Sequence, residues 1–247
     1  MSKKLLTIVS LLLVVLSVYA VKPKSEAALA PGVIISKLLD AYGGEENWIN
    51  IEGYTMKCKI SYPTMESTAT IIGSVLLPDK VKFTIERMEG YIAKPVIEII
   101  HNAGEVKRFV DGKETEEGGG VFAERQLLRQ FMIDKRPLTI LSLKKNVGKM
   151  ELLGEENVEG KDCYILGFKN SFGNTEKYFI DKETFFLAKI ETTDGVNYFT
   201  QYFNKHQRFG KIFIPVERES YRNNTLVQKS SEWEIDFRPP TEDIFDF

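Results

Sequence analysis

Two histidines, two cysteines and one acidic, glycine-rich run are the residues of this 247-residue chain from which a reactive centre would have to be assembled. Such a centre needs a nucleophile beside a base, a carboxylate pair in a cleft, or metal ligands at workable spacing. His101 stands beside a turn at Asn102, and His206 sits in Asn204-Lys205-His206-Gln207; both contexts are polar and loop-like, which suits a solvated ring. No Cys and His grouping has zinc spacing. Gly118-Gly119-Gly120 lacks the lysine of a phosphate loop. Asp111, Glu114, Glu116 and Glu117 could crowd a cation, but acidic residues beside glycines are the ordinary makeup of a solvated loop. The inventory therefore points away from an enzyme and implies no cofactor and no metal. Cys58 and Cys163 are either a disulfide, if the compartment is oxidising, or two buried thiols.

The compartment is argued from the N-terminus. Lys3 and Lys4 precede an apolar run from Leu5 to Val18, and the small residues Val18 and Ala20 then fit a signal-peptidase site. A spanning helix needs ~20 apolar residues. This run is shorter, so cleavage after Ala20 is expected over a retained anchor. Residues 1–20 read as the signal peptide, 21–30 as a polar spacer and 31–247 as one domain, of a size that one large β domain can fill. The product is expected to be periplasmic or otherwise extracytoplasmic, soluble and monomeric. A formal net charge of −2 offers no basic surface, which excludes nucleic acid as a partner.

The elements that would position any site come from periodicity. Ile34, Ile35, Leu38, Ala41 and Tyr42 recur at helical spacing between Pro31 and Gly43-Gly44, which predicts an amphipathic helix. From Gly53 the period becomes two. Tyr54, Met56, Cys58, Ile60 and Tyr62 alternate with Thr55, Lys57, Lys59 and Ser61. Val81, Phe83 and Ile85 repeat the pattern, as do Trp233, Ile235 and Phe237. These are half-buried antiparallel strands. Further strands are predicted over 65–77, 91–100, 106–110, 163–168, 176–180, 186–191, 198–203, 211–218 and 226–230, with turns at Asp111-Gly112, Asp194-Gly195 and Asn223-Asn224 among others. About ten or eleven strands in sequence favour a meander that curls into a barrel or half-barrel. One insertion interrupts it, from about 118 to 143: Ala123, Leu127, Leu128, Phe131 and Met132 stand at helical spacing after the glycines and before Pro137. That helix either lids a cavity or completes a packed core.

The helix ending in Ala41-Tyr42-Gly43-Gly44-Glu45-Glu46-Asn47-Trp48, the strand from Ile51 to Tyr62, Leu77-Pro78-Asp79-Lys80-Val81-Lys82-Phe83 and the Val110-Asp111-Gly112-Lys113 hairpin together resemble the LolA-like outer-membrane lipoprotein-sorting proteins. The resemblance implies an unclosed, strongly curved antiparallel β half-barrel covered by helices, with a hydrophobic cavity for acyl chains. The family's carrier uses a cavity arginine to latch its lid. No single position here matches it, and Arg87 and Arg108 are the candidates. Its receptor member is a lipoprotein, and this chain lacks the cysteine for that.

The expected function is an extracytoplasmic carrier or sensor for a lipid, a lipoprotein acyl chain or another amphiphile. The expected cavity residues are Tyr54, Met56, Ile60, Val81, Phe83, Ile85, Phe109, Leu127, Leu128, Phe131, Tyr178, Tyr198, Trp233 and Ile235. The alternative is an envelope interaction module whose half-barrel is filled and whose rim or edge strands bind a protein partner. An integral outer-membrane barrel is disfavoured, because Pro239-Pro240 breaks the last segment and the strands carry lysines and glutamates where lipid would lie.

Overall fold

Alternation over 53–62 produces β1 (Gly53–Tyr62), in which Tyr54, Met56, Cys58 and Ile60 are buried while Lys57 and Lys59 face water. The computed structural model describes residues 29–89, 92–102, 104–115, 140–170 and 173–246. β2 (Ser67–Leu76) pairs along the whole of β1 and sets Val75, Gly73, Ile71 and Ala69 opposite its four buried residues. β3 (Lys80–Glu89) and β4 (Ile92–Asn102) extend the pattern. Val81, Phe83 and Ile85 face Val75, Gly73 and Ile71, and they are faced in turn by His101, Ile99 and Ile97. Directly opposed residues of an antiparallel pair share a face. Four strands thus build one continuous apolar surface. A hairpin of β5 (Glu105–Val110) and β6 (Lys113–Thr115) ends this half, and its two turn residues Asp111 and Gly112 both have positive φ, as a tight hairpin turn requires.

The other half runs from β7 (Glu151–Val158) through β8 (Lys161–Lys169), β9 (Thr175–Asp181), β10 (Leu187–Thr193) and β11 (Tyr198–Phe203). After a separate hairpin of β12 (His206–Phe209) and β13 (Ile212–Pro215), it resumes in β14 (Arg218–Arg222) and β15 (Thr225–Asp236). Among the described residues the last strand pairs with the first, giving one antiparallel sheet of thirteen strands in the order β6-β5-β4-β3-β2-β1-β15-β14-β11-β10-β9-β8-β7. Its ends, β6 and β7, do not meet, so the sheet is an unclosed half-barrel.

The sheet is larger than the periodicity predicts. β7 is rich in glutamate and does not alternate cleanly, because as an edge strand it is held from one side only. Residues 211–218 divide between two strands, and 225–236 runs through as one, with Glu232 at φ 55 absorbing an irregularity opposite β1. Trp233 and Ile235 are half-buried there, while Glu234 is exposed as its parity requires.

The predicted first helix is α1 (Pro31–Ala41), which buries Ile34, Ile35, Leu38 and Leu39. It stops at Gly43, whose φ of 105 lets the chain turn. A Cβ at Gly43 would lie 2.1 Å from the Lys211 carbonyl oxygen, so only glycine permits this close seat on the β12–β13 hairpin. A short α2 (Glu45–Ile49) follows and buries Trp48 completely. Of the predicted insertion the described part is α3 (Ile140–Asn146), which packs on α1 with Ile140, Leu141 and Leu143 buried. The signal segment, the glycine run and Leu127, Leu128 and Phe131 lie outside the described residues.

One alternative left open is settled, and one expectation changes. Cys58 and Cys163 are both free and buried, not bridged: Cys58 belongs to the β1 stripe, whereas Cys163 packs with Val158, Phe179 and Ala188. The histidines are not solvated loop residues either. His101 is buried in β4 and His206 begins β12 partly buried, because partners distant in sequence enclose both. Among the described residues no helix is long and apolar enough to cross a membrane.

Candidate functional site

The face beneath α1 is the inner face. Its β1–β4 half contains the sequence-predicted Tyr54, Met56, Ile60, Val81, Phe83 and Ile85, all buried. Ile71, Val75, Ile97 and Ile99 interleave with them, and burying each such aliphatic or aromatic side chain contributes ~1.5–3 kcal/mol. Packing is closest at Gly73, where a Cβ would meet the Phe83 ring at 2.8 Å. Trp233 and Ile235 extend the face from β15, with Ile235 directly opposite Met56. Tyr178 lies on the inner face too, across the seam in the other half of the sheet, in the row Gln228, Ser220, Gln201, Ile190, Tyr178.

Two predicted residues fall on the opposite face. Phe109 is paired with Glu98, which is paired with Thr84, and Tyr198 shares its parity with Thr200 and Tyr202. Aromatic type singled them out, but their strands lack the clean alternation that fixes parity. The outer face has a small core of its own. Val158, Cys163, Phe179 and Ala188 cluster beneath Lys189, whose ammonium sits 3.8 Å from the centre of the Phe179 ring and pairs with Glu156 and Glu191. Burial raises the Cys163 thiol to about 11 and the Cys58 thiol to about 12, so neither is a nucleophile near neutral pH.

The two halves of the inner face differ in chemistry. Where β1 to β4 offer hydrocarbon, the β14–β15 region offers Ser230, Arg218, Gln228 and Ser220 in register. Arg218 is the residue that the sequence did not reveal. Its guanidinium stacks 4.3 Å from the centre of the Trp233 ring and its Nε–H donates to the Pro215 carbonyl at 3.0 Å. Burial lowers its pKa to about 10, against an opposing influence from Cys58, Tyr42 and Tyr54, so it remains a cation at neutral pH. Arg108, one of the two arginines that the resemblance suggested, is opposite Ile99 and donates to the Thr115 hydroxyl at 3.0 Å; the Arg87 side chain lies outside the described residues.

Tyr42 anchors α1 to the sheet. Its hydroxyl accepts the Leu187 N–H at 3.3 Å and lies 2.9 Å from His206 Nε2, to which it donates when the ring's other nitrogen carries the proton and bonds the Asn204 backbone. Its carbonyl accepts the Trp48 indole N–H at 3.0 Å and the Phe213 N–H at 3.2 Å. The His206 ring lies flat on Phe186, with centroids 4.2 Å apart and planes 5° from parallel. Burial, first of all, holds the His206 pKa down to about 4 and pushes the Tyr42 phenol well above its ordinary range. His206 is therefore a neutral acceptor inside a structural knot. Among the described residues no three His, Cys, Asp or Glu side chains are grouped to hold a metal.

No protein-family model matches the chain, and no curated protein matches it in sequence. Solved structures do. A DUF1329 family protein from Desulfovibrio piger superposes with a TM-score of 0.53 at 11% identity, over 89% of this chain and 98% of that one. A LolA superfamily protein from Nitrosomonas europaea gives 0.53 at 11% identity, over 89% and 99%. A domain from Vibrio parahaemolyticus assigned to outer membrane lipoprotein sorting gives 0.50 at 12% identity, over 87% and 95%. None of the three is described as an enzyme. At these identities the likeness is one of architecture, and the architecture of this chain is the LolA-like fold.

Proposed function

We propose that the protein is an extracytoplasmic carrier or sensor that takes a lipid, a lipoprotein acyl chain or another amphiphile against the inner face of its half-barrel. The observation that carries this reading is the unbroken apolar surface of β1 to β4 in a sheet that does not close. Hydrocarbon there, with Arg218, Gln201 and Ser220 in the neighbouring half, suits a ligand that is apolar for most of its length and polar at one end. The lipoprotein-sorting role assigned to the Vibrio parahaemolyticus domain agrees with it. No catalytic step is needed, since the ligand is only held and released. Tyr54, Met56, Ile60, Val81, Phe83, Ile85, Tyr178, Trp233 and Ile235 would line the site, with Leu127, Leu128 and Phe131 contributed by a lid.

Native mass spectrometry of the purified protein should reveal a co-purifying acyl ligand, and the protein should bind a fluorescent fatty-acid probe. Truncating Leu127, Leu128 and Phe131 should weaken probe binding and leave the urea midpoint nearly unchanged. A filled half-barrel predicts the reverse, a loss of ~2–5 kcal/mol per truncation and no probe binding by the unmutated protein. That result would replace the carrier with an envelope interaction module.

A further inference from the structure

A pocket of about 290 Å³ lies where β8 begins, β9 ends and β10 begins. Its charged wall lies on the outer side, since Lys161 and Asp181 share the parity of Cys163, which is directly opposite Asp181, while Leu187, opposite Ile180, carries the pocket round the strand end to the inner parity. The apolar side of the pocket is formed by Leu187, Ala188 and the stacked rings of Phe186 and His206.

The polar side carries two unspent charges. Asp181 is only 8% exposed. Its Oδ1 accepts the N–H groups of Glu183 at 2.8 Å and Thr184 at 3.2 Å, and Oδ2 takes no hydrogen bond from a described residue. Lys161 is half-buried, and its ammonium makes no hydrogen bond or ion pair among the described residues. The two do not satisfy one another. Both act on His206 with opposite sign, and that ring, neutral and already bonded to Tyr42, adds a flat apolar surface and no charge.

A ligand with a single charge would pair one wall and leave the other charge desolvated, which is costly. A zwitterion pairs both. The volume of about 290 Å³ has room for a molecule the size of a free amino acid. We propose that this pocket is a second binding site for a small zwitterion of the α-amino acid class. The ligand carboxylate meets Lys161 Nζ, the ammonium meets Asp181 Oδ2, and an apolar side chain lies against Leu187, Ala188 and Phe186. The two charged contacts lie on the outer side, apart from the apolar β1–β4 surface.

Calorimetric titration of the purified full-length protein with L-leucine, isoamylamine and isocaproate tests this, because the second and third probes each lack one of the two charges. Leucine should bind saturably and both analogues roughly tenfold or more weakly. Lys161→Met and Asp181→Asn should each cost a similar factor, while fatty-acid probe binding stays unchanged. The asparagine keeps the Oδ1 acceptor that holds the turn, so the fold should survive. Three results would overturn the proposal: no leucine binding up to about 10 mM, analogues that bind as well as leucine, or variants that retain wild-type affinity. The comparison of probes on the unmutated protein decides the matter even if a variant fails to fold.

Discussion

Lowering the pH should loosen the knot at Tyr42. His206 has a pKa near 6.5 in an unfolded chain and about 4 in place, mainly because burial disfavours the imidazolium. Between those values the unfolded chain takes up a proton that the native state refuses, so stability falls as the pH drops from 6.5 toward 4 and is fully present above 6.5. At 1.36 kcal/mol per pKa unit the difference sets a ceiling of about 3 kcal/mol for this one ring. The chemical reason is visible. Protonated Nε2 becomes a donor, so the Tyr42 hydroxyl, which already accepts the Leu187 N–H, loses its acceptor. The control is His206→Phe, which keeps a flat ring against Phe186 but has no proton to gain. At pH 7 the variant should be less stable by ~1–2 kcal/mol for the lost hydrogen bond. Urea unfolding followed by the fluorescence of Trp48 and Trp233, the two tryptophans, gives both stabilities across the range. The gap should close or reverse by about pH 4.5. Parallel stability curves for the two proteins from pH 7 downward would refute the account of His206.

Gly43→Ala should destabilise by more than ~2 kcal/mol, since the new methyl would meet the Lys211 carbonyl oxygen and the backbone there has positive φ; calorimetric melting reads the loss. Lys189→Met should cost ~1–3 kcal/mol in urea unfolding because it leaves the largely buried Glu191 only its long 3.9 Å pair with Lys177 and the Tyr198 hydrogen bond, whereas Lys59→Met breaks an exposed pair with Glu232 and should cost under ~1 kcal/mol. Equal costs would contradict that ranking. N-terminal sequencing of protein from cells should start at or near Val21; an intact Met1 in the membrane fraction would refute export by cleavage.

Much of the sheet was legible because its strands are wet on one side. Lys57 and Lys59 between Met56, Cys58 and Ile60 leave a single register open, and the Asp-Gly hairpin before Lys113 could be read from two residues. What stayed hidden depends on contacts far along the chain. Tyr42 and His206 are 164 positions apart, and nothing around either announces the other. Arg218 looks like any strand-end arginine until β15 brings Trp233 beneath it. β7 has the glutamates of a helix or loop and becomes a strand only because β8 offers it an edge. Phe109 and Tyr198 show the converse, in which a residue type suggests a cavity and the register places it outside.

The seam between β1 and β15 has a consequence for how the molecule can be made. Lys59 and Glu232 touch across it although 173 positions separate them, and the sheet's two free edges instead belong to the middle of the chain. A ribosome or a translocation channel delivers the chain N-terminus first. β1 to β6 therefore emerge as a sheet whose central side is still raw, and β1 must wait, open to any passing strand, until β15 has appeared. Contacts of such long span are slow to form, because the entropy of closing the loop precedes the reward of pairing. Assembly should therefore be late and cooperative, with an early vulnerability to aggregation along β1 that a chaperone, or rapid completion of the chain, would have to cover.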